Sequence, residues 1–303
     1  MADQTTDMPS ETPELEEKIG VIRKMARSPL LVRIAFGWLA MIFFVALTAQ
    51  WIMPYDPEST NLLSRLRPPG STDRNGGFHL FGTDHIGRDL FSRLLSAIQL
   101  TMSVAVFGTL FGAIVGSTIG FVAARYRGWI DDVIMVLVDF QASMPFVIIA
   151  LSVIAVTGTG NLLLFILLVG FQGWERYARI TRGLTMSAVN HGYAAALRML
   201  GAGTFRVYFR HILPNIVAAI IVQITINFPE TVLLETAMSF LGVGIQPPNT
   251  SLGNLLSYGR DYLLNAWWIA AVPGFAIFFT TLAMSIVGDW LRDTLDPMTK
   301  DRR

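Results

Sequence analysis

From residue 34 to residue 287 the chain alternates long apolar runs with short polar punctuation. The first run, Ile34–Ile52, has nineteen residues and no charge, close to the ~20 that carry an α-helix across a hydrocarbon layer. Trp38 and Trp51 lie near its ends, where amphipathic rings anchor a helix at the interface. A second run, about Leu100–Ala124, carries Gly108, Gly112, Gly116 and Gly120 at every fourth position. That spacing predicts a smooth stripe against which a neighbouring helix packs closely. The third run, Val133–Val156, contains Asp139 and Pro145. The fourth needs all of Thr157–Trp174, because only Leu162–Phe171 is strongly apolar. Ile216–Met238 and Trp267–Val287 supply the fifth and sixth. The expectation is an all-α polytopic membrane protein with six transmembrane helices.

The segments between the runs differ in character. Residues 1–33 form a polar tail, acidic up to Glu17 and basic from Lys18 to Arg33. Residues 53–99 form a long connection rich in proline and glycine, a composition of turns. The polar stretch Gly192–Asn215 is the most structured in pattern. A helix-favouring run, Tyr193–Leu200, meets Gly201 and Gly203, where a helix ends. A short amphipathic run follows, with Phe205 and Phe209, then Arg206 and Arg210, each four apart. His211-Ile212-Leu213-Pro214-Asn215 opens the fifth run, with proline where a first helical turn tolerates it. The pattern predicts two short helices with a bend, although an ordinary basic loop has the same composition. The organisation expected is a tail over 1–33, a first span over 34–52, a loop over 53–99, a five-helix core over 100–291 with its polar insertion at 175–215, and a second tail over 292–303.

Composition agrees with the pattern. Of 303 residues, 52% are hydrophobic and 15% charged, against about 25% charged in soluble domains. The net charge of +1 gives no field that would draw nucleic acid. No cysteine is present, which excludes disulfides and thiolate chemistry. Orientation follows from charge. With the N-terminus inside, the inner segments carry 17 of the 23 Lys and Arg, and basic residues stay on the cytoplasmic side. The bias predicts N-in and C-in, with Gly192–Asn215 in the cytoplasm.

Several chemistries lack their residues. There is no Gly-Lys-Ser/Thr phosphate loop, no His-Glu-x-x-His helix and no Gly-x-Ser-x-Gly elbow. Asp84 and His85 are too few for a metal site, so none is expected. Inside the spans, Gln223, Asn227 and Glu230 share one helical face by their i, i+4, i+7 spacing. They are candidates for a translocation surface, with Glu235 beyond them and Asp139 on the third span. Hydrogen bonding between helices, and for Asp139 contact with interfacial water, are the alternatives.

Four motifs carry a resemblance. Gly82-Thr83-Asp84-His85-Ile86-Gly87-Arg88-Asp89 is similar to the Gly-Thr-Asp-x-x-Gly-Arg-Asp of dipeptide-type permeases of ABC importers. Ser239-Phe240-Leu241-Gly242-Val243-Gly244-Ile245-Gln246-Pro247 resembles their Ser-Phe-Leu-Gly-x-Gly-x-Gln signature, with Leu252 where a tryptophan is usual. In Gly192–Asn215, Gly201, Ile212, Leu213 and Pro214 fit the family's cytoplasmic loop. Tyr193, Arg198, Leu200 and His211 match its dipeptide and oligopeptide branch, whereas Ala195 replaces a glutamate and Leu197 an alanine. Gly288–Pro297 resembles the C-terminal signature, and the Asp139-x5-Pro145 spacing also fits.

The resemblance implies the transmembrane domain of a type I ABC importer in a bacterial inner membrane. It is a non-catalytic subunit without a cofactor, since ATP and Mg are bound by partner chains. The implied partners are membrane lipid, a second related permease, two ABC ATPases and an extracytoplasmic solute-binding protein. Tyr193, Ala195, Ala196, Arg198, Gly201, Phe205, Arg206, His211 and Pro214 would couple to an ATPase. Asp84, Arg88, Asp89, Gln246 and Pro247 would face the binding protein. Relatives carry peptides, nickel chelates, opines and sugars. An ion-coupled secondary transporter is the runner-up, and it lacks the paired repeats such carriers use.

Overall fold

The computed structural model describes residues 28–73, 76–158, 161–190, 203 and 206–295. Of the coupling residues expected above, Tyr193, Ala195, Ala196, Arg198, Gly201 and Phe205 lie outside the described residues.

The described chain is mainly helical, with almost no strand. Helix α1 spans Leu30–Ile52, α2 Leu90–Tyr126, α3 Trp129–Ser143, α4 Phe146–Thr157 and α5 Leu162–Phe171. Helix α6 spans Trp174–Asn190, α7 Leu213–Phe240, α8 Leu252–Arg260 and α9 Trp268–Leu295. The loop between α1 and α2 holds a two-residue hairpin, β1 (Ser71–Thr72) against β2 (Phe78–His79), antiparallel with Ser71 opposite His79.

Helix α2 is the hub, with α1, α5, α6 and α7 all packed on it. It begins ten residues before the expected span because Asp89 caps it. The Asp89 carboxylate accepts from the Ser92 backbone N–H at 2.7 Å and from the Ser92 hydroxyl at 2.8 Å. That satisfies two donors at a helix start. Its 37 residues reach ~55 Å, more than a bilayer needs. The glycine stripe works as the spacing predicted. A Cβ at Gly112 would stand 2.4 Å from the Gly170 carbonyl, one at Gly116 2.2 Å from that of Trp174, and one at Gly120 2.1 Å from that of Ala178. Only hydrogen at those positions lets α5 and α6 lie against α2. A core of Ile42, Ile98, Met102, Phe228, Val232 and Leu255 closes the opposite side.

The third expected span is broken. Helices α3 and α4 meet at 92°, with Met144 extended at φ −102°, ψ 136°. The residue before a proline is driven out of the helical region, and Pro145 then opens α4 at its N-cap. Helix α5, at ten residues, covers only ~15 Å. Among the described residues, four helices are therefore long and apolar enough to cross a membrane, or five if the bent pair is one span. The fifth expected span also starts differently. A π-helical turn, Val207–Ile212, runs straight into α7, with the Leu213 N–H bonded to the Tyr208 carbonyl. Proline has no N–H to donate and crowds the carbonyl four residues back, and a wider turn ahead of Pro214 accommodates both.

Candidate functional site

Three arginines on α6 organise the polar interior. Arg176, Arg179 and Arg182 recur every third residue, so they rise along the helix one turn at a time. Each meets a carboxylate distant in sequence. Arg182 grips Asp131 of α3 with both arms, Nε to Oδ1 at 2.5 Å and Nη2 to Oδ2 at 2.6 Å, the fork geometry in which guanidinium matches carboxylate. Arg179 donates to Asp139 of α3 at 2.9 Å. Arg176 donates to Glu230 of α7 at 2.6 Å. The pairs differ in exposure. Asp131 is nearly enclosed, at 9% of its side-chain surface, whereas Arg176 and Glu230 are 43% and 44% open and Arg179 and Asp139 53% and 70%.

On the α7 face expected from spacing, Asn227 is enclosed and Glu230 half open. Gln223 Nε2 donates to Asn227 Oδ1 at 3.0 Å, and Arg176 reaches the same oxygen at 3.5 Å. Asn227 is buried, and Gly173, with φ +84°, leaves room for its amide. A Cβ there would lie 2.8 Å from Asn227 Nδ2. Asn227 thus bonds across to α6 while Gln223 bonds it from within α7, and Glu230 stands at the open edge. Glu235 corrects the expectation of a path-lining residue. It is fully enclosed, accepts from the Ser239 hydroxyl at 2.8 Å, and is surrounded by the hydroxyls of Thr101, Thr236 and Ser251. It fastens α7 to α2 and to the turn before α8.

At the hairpin-bearing end, the 82–89 motif folds inward. Asp84 accepts from the Ile86 and Arg88 backbone N–H groups at 3.0 and 2.9 Å and from Arg88 Nε at 2.7 Å. The enclosed Arg93 guanidinium lies 3.6 Å from Asp84 and donates to the Thr250 hydroxyl at 3.0 Å. Asp89 also holds His79 Nδ1 at 2.8 Å. Asp84 and Asp89 are 2% and 3% exposed, which corrects the expectation that they present themselves to a partner. They shape the loop. Among the described residues no cluster of three metal-ligating side chains occurs.

Residues 112–301 match the family model described as binding-protein-dependent transport system inner membrane component. The chain belongs to this family. It is a multi-pass component of the inner membrane. Among its relatives, the di/tripeptide transport system permease protein of Pseudomonas aeruginosa is 36% identical over 264 residues, 87% of each chain. The dipeptide transport system permease protein of Escherichia coli K12 is 36% identical over 265 residues, again 87% of each. The glutathione transport system permease protein of Pectobacterium atrosepticum is 34% identical over 270 residues, 89% of this chain and 88% of its own.

Within this inner-membrane component, the described part of the expected coupling stretch packs from one side. Val207, Tyr208, Ile212 and Ile216 pack with Val189 of α6 and Phe121 of α2 in one cluster. Arg206 is exposed, His211 half-buried, and Pro214 follows the π turn. Arg125, at the end of α2, lies 5.6 Å from the centre of the Tyr208 ring. Gln246 folds over its own turn, donating to the Gly242 and Gly244 carbonyls at 3.0 and 3.1 Å, beside Pro247. The arginine–carboxylate pairs escaped the sequence reading because 40 to 54 residues separate the partners. Only two of the carboxylates, Asp139 and Glu230, were legible as polar positions within the apolar runs.

Proposed function

We propose that this chain is one of two permease subunits of an ATP-driven importer for peptides or related small solutes. One observation carries the proposal. The Arg176–Glu230 pair stands half open, and Glu230 lies well inside α7, one of the helices long and apolar enough to cross a membrane. A charge facing lipid costs at least ~2.5–3.5 kcal/mol on insertion scales. That face is therefore covered by a second permease chain or by a water-filled path, and a path between two such chains satisfies both. The names of the relatives support peptides as cargo.

In this reading the chain lies N-in and C-in, as its basic residues favour. Residues 192–215, with Arg206, His211 and Pro214 on the α7 side, meet a cytoplasmic ATPase. The 53–89 loop and the Gln246–Pro247 turn lie on the outer side, toward a solute-binding protein. ATP binding on the partner chains moves the inner stretch, and the tightly packed Val207–Ile216 cluster passes that movement into α6, α7 and α2. The helices then alternate between inward-open and outward-open packings. Family membership favours this over an ion-coupled carrier. Uptake into proteoliposomes decides between them. The importer requires ATP, co-assembled ATPases and binding protein, whereas uptake on a proton or sodium gradient alone refutes it.

A further inference from the structure

We propose that Arg176 and Glu230, with Arg179 and Asp139 one turn away, form a binding site for a solute that carries both an ammonium and a carboxylate group. The inference rests on the importer reading and adds to it the chemical class of cargo recognised by the permease itself. Three observations lead to it. The first is the contrast along α6, where Arg182 is locked onto an enclosed Asp131 while the two neighbouring pairs are open. An ion pair that fastens helices is held best by two-armed geometry, as Arg182 has. Arg176 hydrogen-bonds Glu230 through one nitrogen, with its Nε 3.8 Å from Glu175, and Arg179 bonds Asp139 through one nitrogen, leaving other N–H groups of both forks available.

The second observation is support from behind. Asn227, buried and braced by Gln223, lies 3.5 Å from Arg176 Nη1 and steadies it from the protein side. The carboxylate of Glu230 has no such brace and turns to the open edge. The third is the balance of charge. Empty, Arg176 faces Glu230 and, at 3.8 Å from its Nε, Glu175, and Arg179 faces Asp139, so each charge of the site has a partner of opposite sign. A solute ammonium takes its place on Glu230 and the solute carboxylate on Arg176 or Arg179, and the filled site carries the same net charge as the empty one. A solute bearing one charge leaves its counterpart unpaired, and a neutral one has nothing to offer in exchange for the pair. Residues three apart on a helix stand about 5–6 Å apart at Cβ. The two arginines thus offer a carboxylate two stations from one ammonium position. An extended dipeptide separates its termini by ~7 Å, and one further residue is met by moving a station.

The test bypasses the binding protein, which selects solute on its own account. Saturation-transfer NMR on the detergent-solubilised permease pair with its ATPases uses glycyl-leucine, its N-acetylated and C-amidated forms, and maltose. Glycyl-leucine is expected to give at least five-fold stronger saturation than either blocked form, and maltose none. Equal saturation by the doubly blocked dipeptide overturns the proposal with no variant needed. In the full transporter in proteoliposomes, Glu230→Gln and Arg176→Gln are each expected to lower glycyl-leucine moved per ATP hydrolysed at least five-fold, with the double variant no better. Arg176→Lys, which keeps the charge, retains at least half. If the neutral double variant recovers wild-type stoichiometry, the pair is an inter-helix bond alone and the proposal fails. ATP-driven uptake indifferent to solute charge removes only this inference, whereas uptake independent of ATP removes the importer reading itself.

Discussion

His85 has its ring stacked on Tyr262 at 5.6 Å and 16°, with Tyr258 at 5.5 Å on a tilt. Burial among these rings lowers its pKa below the ordinary 6.5, the guanidiniums of Arg88, Arg93 and Arg65 act in the same direction, and Asp84 opposes them. The folded ring therefore stays neutral at a pH where the unfolded one binds a proton. Stability falls as pH drops below 6.5 and stops falling only once the folded ring titrates as well. Unfolding of the purified protein between pH 5 and 7 should show that slope, and His85→Gln should remove its share. Asp89 contributes through two contacts. It caps α2 and holds His79, so Asp89→Ala should cost about 1 kcal/mol for the cap and about 1–3 kcal/mol for the orphaned buried imidazole. The loss would appear as a lower midpoint in chemical denaturation, and Asp89→Ser should recover the cap alone. Both residues were visible beforehand as members of a motif. Their inward aim was not, because it depends on Tyr258 and Tyr262 for His85 and on His79 and Ser92 for Asp89, all of them outside the motif.

Helix packing was legible wherever one element carried the whole signal. Glycines at 108, 112, 116 and 120 announce a close approach without naming the partner, and α5 and α6 occupy it. Gly120→Val should push a methine carbon into the Ala178 carbonyl and destabilise by at least ~1–3 kcal/mol, the usual range for overpacking. Gly183 on α6 meets nothing within 4 Å at its Cβ position. Gly183→Ala should therefore be neutral or gain about 0.4–1 kcal/mol by restricting the unfolded chain. Thermal unfolding of the two variants side by side checks the pair, and equal behaviour would show that the stripe is not a contact. Where two local signals conflict, pattern alone misjudged the element. Val133–Val156 has the length and apolarity of one span, and Pro145 in the middle of it weighs little in any average. Sterically it acts on one residue, Met144, and that is enough to turn the chain through 92°. The π turn before Pro214 has the same origin, a proline that redirects its neighbours while leaving the hydrophobic count unchanged.

At the scale of the whole molecule, the bend decides how many times the chain crosses. Helix α3 covers ~22 Å along its axis and α4 ~18 Å, and at 92° the second adds almost nothing to the depth gained by the first. A hydrocarbon core is about 30 Å thick, so α3 with α4 either crosses where α4 closes one end of the path, or dips in and returns. Parity separates the two. Between Phe78 and Gly203 the chain passes through α2, the α3–α4 pair and α5–α6. Three crossings put Phe78 and Gly203 on opposite faces of the membrane, and two put them on the same face. The chain has no cysteine, so a single introduced thiol is unique within it. Phe78, Val156 and Gly203 are all exposed. With the N-terminus inside, Phe78→Cys and Val156→Cys should react with an impermeant maleimide added to intact cells, and Gly203→Cys only after the membrane is opened. Reaction of Phe78→Cys and Gly203→Cys from the same side would make the bent pair a re-entrant segment. It would also remove residues 192–215 from the face where nucleotide is available, since a polar stretch can couple to an ATPase only from that side.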